Sequence, residues 1–230
     1  MDRWVELSNG HRVWTKTIGD GPGLPLLLLH GGPGGGHDYL EPLEVLSSER
    51  PVIFYDQLGC GKSDMPDNRA LWTIERFADE VQEVREALGL ERCHVLGQSW
   101  GGWLGIEYML RQPAGVQSIV LASTSASVPQ FSAECERLIS ELPQEHREAL
   151  RYHGARAEFD HKAYAAAEAV FTVDTYAGWK NGRIACCVQQ KICTRMQSMK
   201  PSTDRMNSPR LEIFVTGTGY PTSGRSMPRR

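Results

Sequence analysis

An α/β fold, a mostly parallel sheet with helices on both faces, is predicted from three observations. Short unbroken apolar runs alternate with amphipathic stretches at the spacing of strand–helix–strand units. Glycine-rich turns follow these runs. Near residue 123 the alternation stops and helical patterning takes over.

HRVWTKTIG (11–19) alternates and is rich in β-branched residues, the pattern of a half-buried strand. LPLLLLH (24–30) is a continuous apolar run, as expected of a parallel strand buried on both faces. HDYLEPLEVLSSE (37–49) reads as a short helix, PVIFYD (51–56) as the next buried strand, and DQLGCGKSD (56–64) as turn chemistry. TIERFADEVQEVREALG (73–89) puts Ile74, Phe77, Val81, Val84 and Leu88 on one helical face and stops at glycine. RCHVLG (92–97) is a strand, SWGGWLGIEYMLRQP (99–113) a helix closed by proline, and VQSIVLAS (116–123) another strand. Residues 1–123 therefore form the sheet-bearing core. Residues 124–171, helical in character and broken at Pro143, read as the start of a helical cap. Beyond Phe171 periodicity fades, and 172–230 is expected to be an atypical basic, poorly ordered tail in which LEIFVTG (211–217) could form one strand.

At 230 residues, 40% of them apolar, the chain can bury one sizeable core. A net charge of −3 singles out neither a nucleic-acid partner nor a membrane surface. The start, MDRWVELSNGHRVWTK, has no apolar signal-peptide core, and LPLLLLH is too short to span a bilayer, so a soluble, cytoplasmic protein is expected. Six cysteines (60, 93, 135, 186, 187 and 193) lack paired C-x-x-C spacing, which indicates neither a zinc site nor a disulfide framework. The charge is unevenly spread: Met1–Phe171 carries 15 basic and 25 acidic residues, and Thr172–Arg230 carries 10 and 3.

GQSWGG (97–102) fits G-x-S-x-G and lies between an apolar strand and an amphipathic helix. A sharp strand-to-helix turn can hold a serine nucleophile at a helix N-terminus, and Gly97 and Gly101 let neighbouring backbones pass close. G-x-S-x-G also occurs by chance, and its placement here favours the nucleophile. HGGPGGG (30–36) follows LPLLLLH directly. A glycine loop there can supply a backbone N–H to an oxyanion, whereas the missing G-K-[ST] argues against a phosphate loop. His30 and Gly31 read as loop-shaping residues, since a catalytic base is expected after the serine. Cys60 reads as a small turn residue.

HGGPGGGHDYLEPL, YDQLGCGKSD and GQSWGG, in this order and spacing, closely resemble the proline iminopeptidases (prolyl aminopeptidases) of the α/β-hydrolase superfamily, over roughly residues 4–170. The resemblance implies an α/β-hydrolase fold and a serine peptidase that releases N-terminal proline from short peptides through an acyl-enzyme, without metal or cofactor. Related members are amino-acid amidases or esterases. It further implies Ser99 as nucleophile, the N–H groups of Gly32 and Trp100 as oxyanion hole, and a cap whose acidic residues hold the substrate's amino group.

The family's triad Asp and His follow the cap, and neither is identified here. No histidine occurs after His161. His146, His153 and His161 fall within the cap segment without a G-H context, and Asp174 and Asp204 lack motif support. The later strands are expected to be missing. Charge reversal and lost periodicity lead to the expectation that the chain is truncated or read in a shifted frame after about Phe171; Trp179–Lys180, for example, would encode Glu one nucleotide earlier. A genuine basic extension that binds nucleic acid or anionic lipid is the rival, but the scattered charges favour an unselected tail. Little or no turnover is therefore expected. The alternative class is an inactive truncated product or a non-catalytic binding module.

Overall fold

The computed structural model describes residues 1–176 and 214–216. The expectations for a disordered tail, a shifted frame and Asp204 fall wholly or mainly outside the described residues.

Among the described residues seven strands, β1 (Asp2–Glu6), β2 (Arg12–Ile18), β3 (Leu26–Leu29), β4 (Val52–Tyr55), β5 (Cys93–Gln98), β6 (Val116–Ala122) and β7 (Phe214–Thr216), form one sheet in the order β1-β2-β4-β3-β5-β6-β7. The β1–β2 and β2–β4 pairings are antiparallel; from β4 to β7 all are parallel. The sequence pattern had not singled out β1, whose burial pattern leaves only Val5 inside. It is recruited by a hairpin in which Gly10 adopts φ +82°. The strand expected within 211–217 is present as β7, in register with Val120–Ala122, so one strand from beyond residue 171 joins the sheet.

The apolar run of β3 is continuous because both faces of the sheet are covered. Leu27 and Leu29 join Ile53, Tyr55 and Val95 on one face, under α1 (Ile74–Ala87) and α2 (Trp100–Leu110). Leu26 and Leu28 join Val52, Phe54 and Leu40 on the other. Thr73 caps α1 by accepting the Arg76 N–H at 3.3 Å, and Phe77, Ala78, Val81 and Val84 turn inward. The short helix expected over 37–49 is present as a 3-10 helix, Asp38–Ser48, with Pro42 inside it. Proline has no N–H to donate and crowds the preceding turn, which disfavours the α-helical ladder there.

After β6 come α3 (Val128–Glu141), α4 (Gln144–Gly154) and α5 (Lys162–Tyr176), with Pro143 at the α3–α4 break. They hold a separate small core of Leu142, Leu150, Tyr164 and Ala167. Among the described residues no helix is long and apolar enough to cross a membrane.

Candidate active site at the ends of the parallel strands

Ser99 sits between β5 and α2 with φ 54° and ψ −119°, a region that non-glycine residues rarely enter. Its backbone is pinned on both sides. Ser99 N–H donates to Ala122 O at 3.0 Å, and Ser99 O accepts from Gly102 N–H at 2.9 Å and from Thr124 Oγ1 at 2.8 Å. The glycines around it are required by space. A Cβ on Gly97 would stand 2.2 Å from Gly101 O, and one on Gly101 would stand 2.0 Å from Leu29 O. The first turn of α2 therefore rests on the end of β3, where the 30–36 loop begins. Trp100 is the first residue of α2, so its N–H has no partner four residues back in the helix.

In the 30–36 loop, Gly31 N–H donates to Tyr39 Oη at 2.5 Å and Gly34 N–H donates to Cys60 Sγ at 3.3 Å. Gly32 adopts φ +126° and precedes a cis bond to Pro33; a Cβ there would crowd the nitrogens of Gly34 and Gly35. His30 is fully buried. Gln57 N–H donates to its Nε2 at 3.0 Å, so Nδ1 carries the proton and donates to Gly31 O at 2.7 Å. Burial holds the His30 pKa below the usual histidine value, which favours this neutral tautomer.

Two side chains absent from the sequence-level candidates bridge loop and elbow. Tyr39 Oη donates to Gln98 Oε1 at 2.6 Å, and burial raises the phenol pKa to about 12, so it stays protonated. Gln57 accepts the Trp100 Nε1–H at Oε1 (2.8 Å) and donates Nε2–H to His30 O at 2.9 Å. Asp56, next to it, is buried and fixes the loop's far end through His37 and Lys62 N–H. A usable signal existed: Asp-Gln directly after the buried run VIFY places polar side chains at a parallel strand's C-terminal end, where open α/β sheets bind ligands.

Cys60 is buried, and desolvation raises its thiol pKa to about 12, so it does not offer a thiolate. The histidines of the α3–α5 segment have partners within that segment. His153 Nδ1 contacts Glu158 Oε2 at 2.7 Å, His161 stacks on His153 with centroids 3.8 Å apart, and His146 lies 3.6 Å from Glu145. Asp174 falls in α5.

The α/β-hydrolase fold family model matches residues 25–200. Proline iminopeptidases of Lactobacillus delbrueckii subsp. lactis and Heyndrickxia coagulans are 47% and 38% identical over 152 and 168 residues, covering 64% and 73% of this chain. The crystal structure of a Mycobacterium smegmatis proline iminopeptidase superposes with TM-score 0.67 at 35% identity, over 86% of this chain and 68% of that one. The chain belongs to the proline iminopeptidase family of α/β hydrolases.

It spans 52% and 58% of the lengths of the two curated proline iminopeptidases. The glycine loop, the Asp-Gln strand end and the serine elbow that carry the resemblance all lie inside the matched residues 25–200.

Proposed function

We propose that this chain carries the acyl-transfer half of a serine aminopeptidase of proline-iminopeptidase type, acting on a small peptide or amino-acid amide. The observation that carries the reading is Ser99 itself: a serine held at positive φ, at the N-terminus of α2, against the glycine loop that follows β3. Ser99 Oγ is the nucleophile. Its attack on the scissile carbonyl places negative charge on the carbonyl oxygen, which the N–H groups of Gly32 and Trp100 receive. Gly31 N–H and Gly34 N–H are already engaged, which supports Gly32 as the loop's donor. His30, Gly31, Gly97 and Gly101 give the two segments their close approach.

Collapse of the tetrahedral intermediate expels the amine and leaves an acyl-Ser99, which water hydrolyses. Both proton transfers need a general base and acid. Among the described residues the buried histidines are committed elsewhere: both ring nitrogens of His30 have partners, and His37 is bound to Asp56. That supports slow turnover by the chain alone. The same observation favours a second reading, a non-catalytic module that retains the serine loop and cap.

Incubation of the purified chain with proline 4-nitroanilide, and separately with a fluorophosphonate in buffer containing imidazole as proton acceptor, tests both. Ser99 should be phosphonylated, Ser99→Ala should abolish the label, and arylamide turnover should be weak. An unlabelled Ser99 would remove the nucleophile assignment and leave the binding module; rapid turnover would show that a base is present.

A further inference from the structure

We propose that Tyr39 and Gln57 are positioning residues that fix the spacing of the two oxyanion-hole N–H groups, by clasping both neighbours of Ser99 to the residues just before Gly32. The inference rests on the assignment of Ser99, Gly32 and Trp100 made above. An oxyanion hole assembled from two chain segments works only if both donors converge on one point. Here the backbone ladder between the segments ends at Leu29 opposite Gly97, before either donor is reached. Beyond that register the connection passes through side chains from elsewhere. Tyr39 comes from the 3-10 helix and joins Gly31 N–H to Gln98 Oε1. Gln57 comes from the end of β4 and joins Trp100 Nε1 to His30, through both its backbone N–H and its carboxamide.

Gln98 and Trp100 flank Ser99, and His30 and Gly31 immediately precede Gly32. The clasps are therefore symmetric about the nucleophile. Each bridging group must accept on one side and donate on the other, which a phenol and a carboxamide do and a phenyl or alkyl group does not. Gln57 is fully buried, so water does not readily replace its bridge, and the Tyr39 bridge is part-buried.

The test phosphonylates the full chain with ethyl 4-nitrophenyl methylphosphonate and with its P=S counterpart, in buffer containing imidazole as proton acceptor. The Ser99 Oγ–P bond forms, 4-nitrophenolate leaves, the serine proton passes to imidazole, and intact mass locates the label. Sulfur fits an oxyanion hole poorly, so the P=O to P=S rate ratio reports donor alignment rather than folding. The unmodified chain should prefer P=O. Tyr39→Phe should lower the P=O rate about tenfold and leave the P=S rate within about twofold. Gln57→Glu, which keeps the acceptor for Trp100 but loses the donor to His30, should lower the ratio less than Gln57→Met. An unchanged ratio in Tyr39→Phe, or in Gln57→Glu if Tyr39→Phe does not fold, overturns the inference while leaving the nucleophile in place. Absence of any label on the unmodified chain removes the nucleophile assignment, and the inference with it.

Discussion

Asp56 Oδ1 accepts from both the backbone N–H and the ring Nδ1–H of His37, at 2.9 and 2.8 Å, while Oδ2 accepts from Lys62 N–H at 2.9 Å. One buried carboxylate thus ties the end of the glycine loop to the turn after β4. Removing it strands two buried donors of His37 and the part-buried Lys62 N–H. Asp56→Ala is expected to cost about 3–5 kcal/mol, and Asp56→Asn less because one acceptor oxygen is kept. Urea unfolding with a shared m-value would check the order; equal stability of all three proteins would contradict it.

Gly101 and Gly154 should respond oppositely to the same change. A methyl on Gly101 would overlap Leu29 O at 2.0 Å, with His30 O at 2.7 Å, both rigid backbone. Gly101→Ala should therefore lose at least about 2–3 kcal/mol. In α4 a methyl on Gly154 meets only Tyr164 Cε2 at an ordinary 3.6 Å. Gly154→Ala should be neutral or gain about 0.5 kcal/mol from helix propensity and reduced unfolded-state entropy. Paired thermal melts would read the contrast.

Glu80 sets a pH dependence. It is buried beside Arg76 and accepts Leu58 N–H at 3.2 Å; desolvation pushes its pKa up to about 7, against the opposing pull of Arg76. The folded protein therefore holds a proton that the unfolded chain, near 4.5, has released. Stability is greatest below about pH 4.5 as far as this group is concerned, and falls as pH rises to about 7, with a slope of up to about 1.4 kcal/mol per pH unit. Glu80→Gln should flatten that part of the stability–pH curve. A curve of identical slope in both proteins would rule Glu80 out as its source.

The sequence carried the parallel strands and the two glycine segments well, because each is encoded locally. LLLL and VIFY are unbroken apolar runs, and only a sheet covered on both faces buries such runs fully. Gly97, Gly101 and Gly31 are short-range signatures of close backbone approach. Less legible were β1, whose exposed residues give little hydrophobic signal, and the 3-10 type of the Asp38–Ser48 helix, which the pattern does not distinguish.

Tyr39 gave no local signal, and Asp56 and Gln57 were legible only as polar residues at a strand end, without their partners. Tyr39 and Gln98 lie 59 positions apart, and Gln57 and Trp100 lie 43 apart. Nothing in the local pattern of either member announces the pair. By itself the sequence determined the strand–helix alternation, the serine elbow and the glycine loop, since steric demands on neighbouring residues fix them. Only the tertiary structure decided which side chains hold elbow and loop together: a hydrogen bond depends on separation in space, and the parallel sheet brings distant strand ends to one edge.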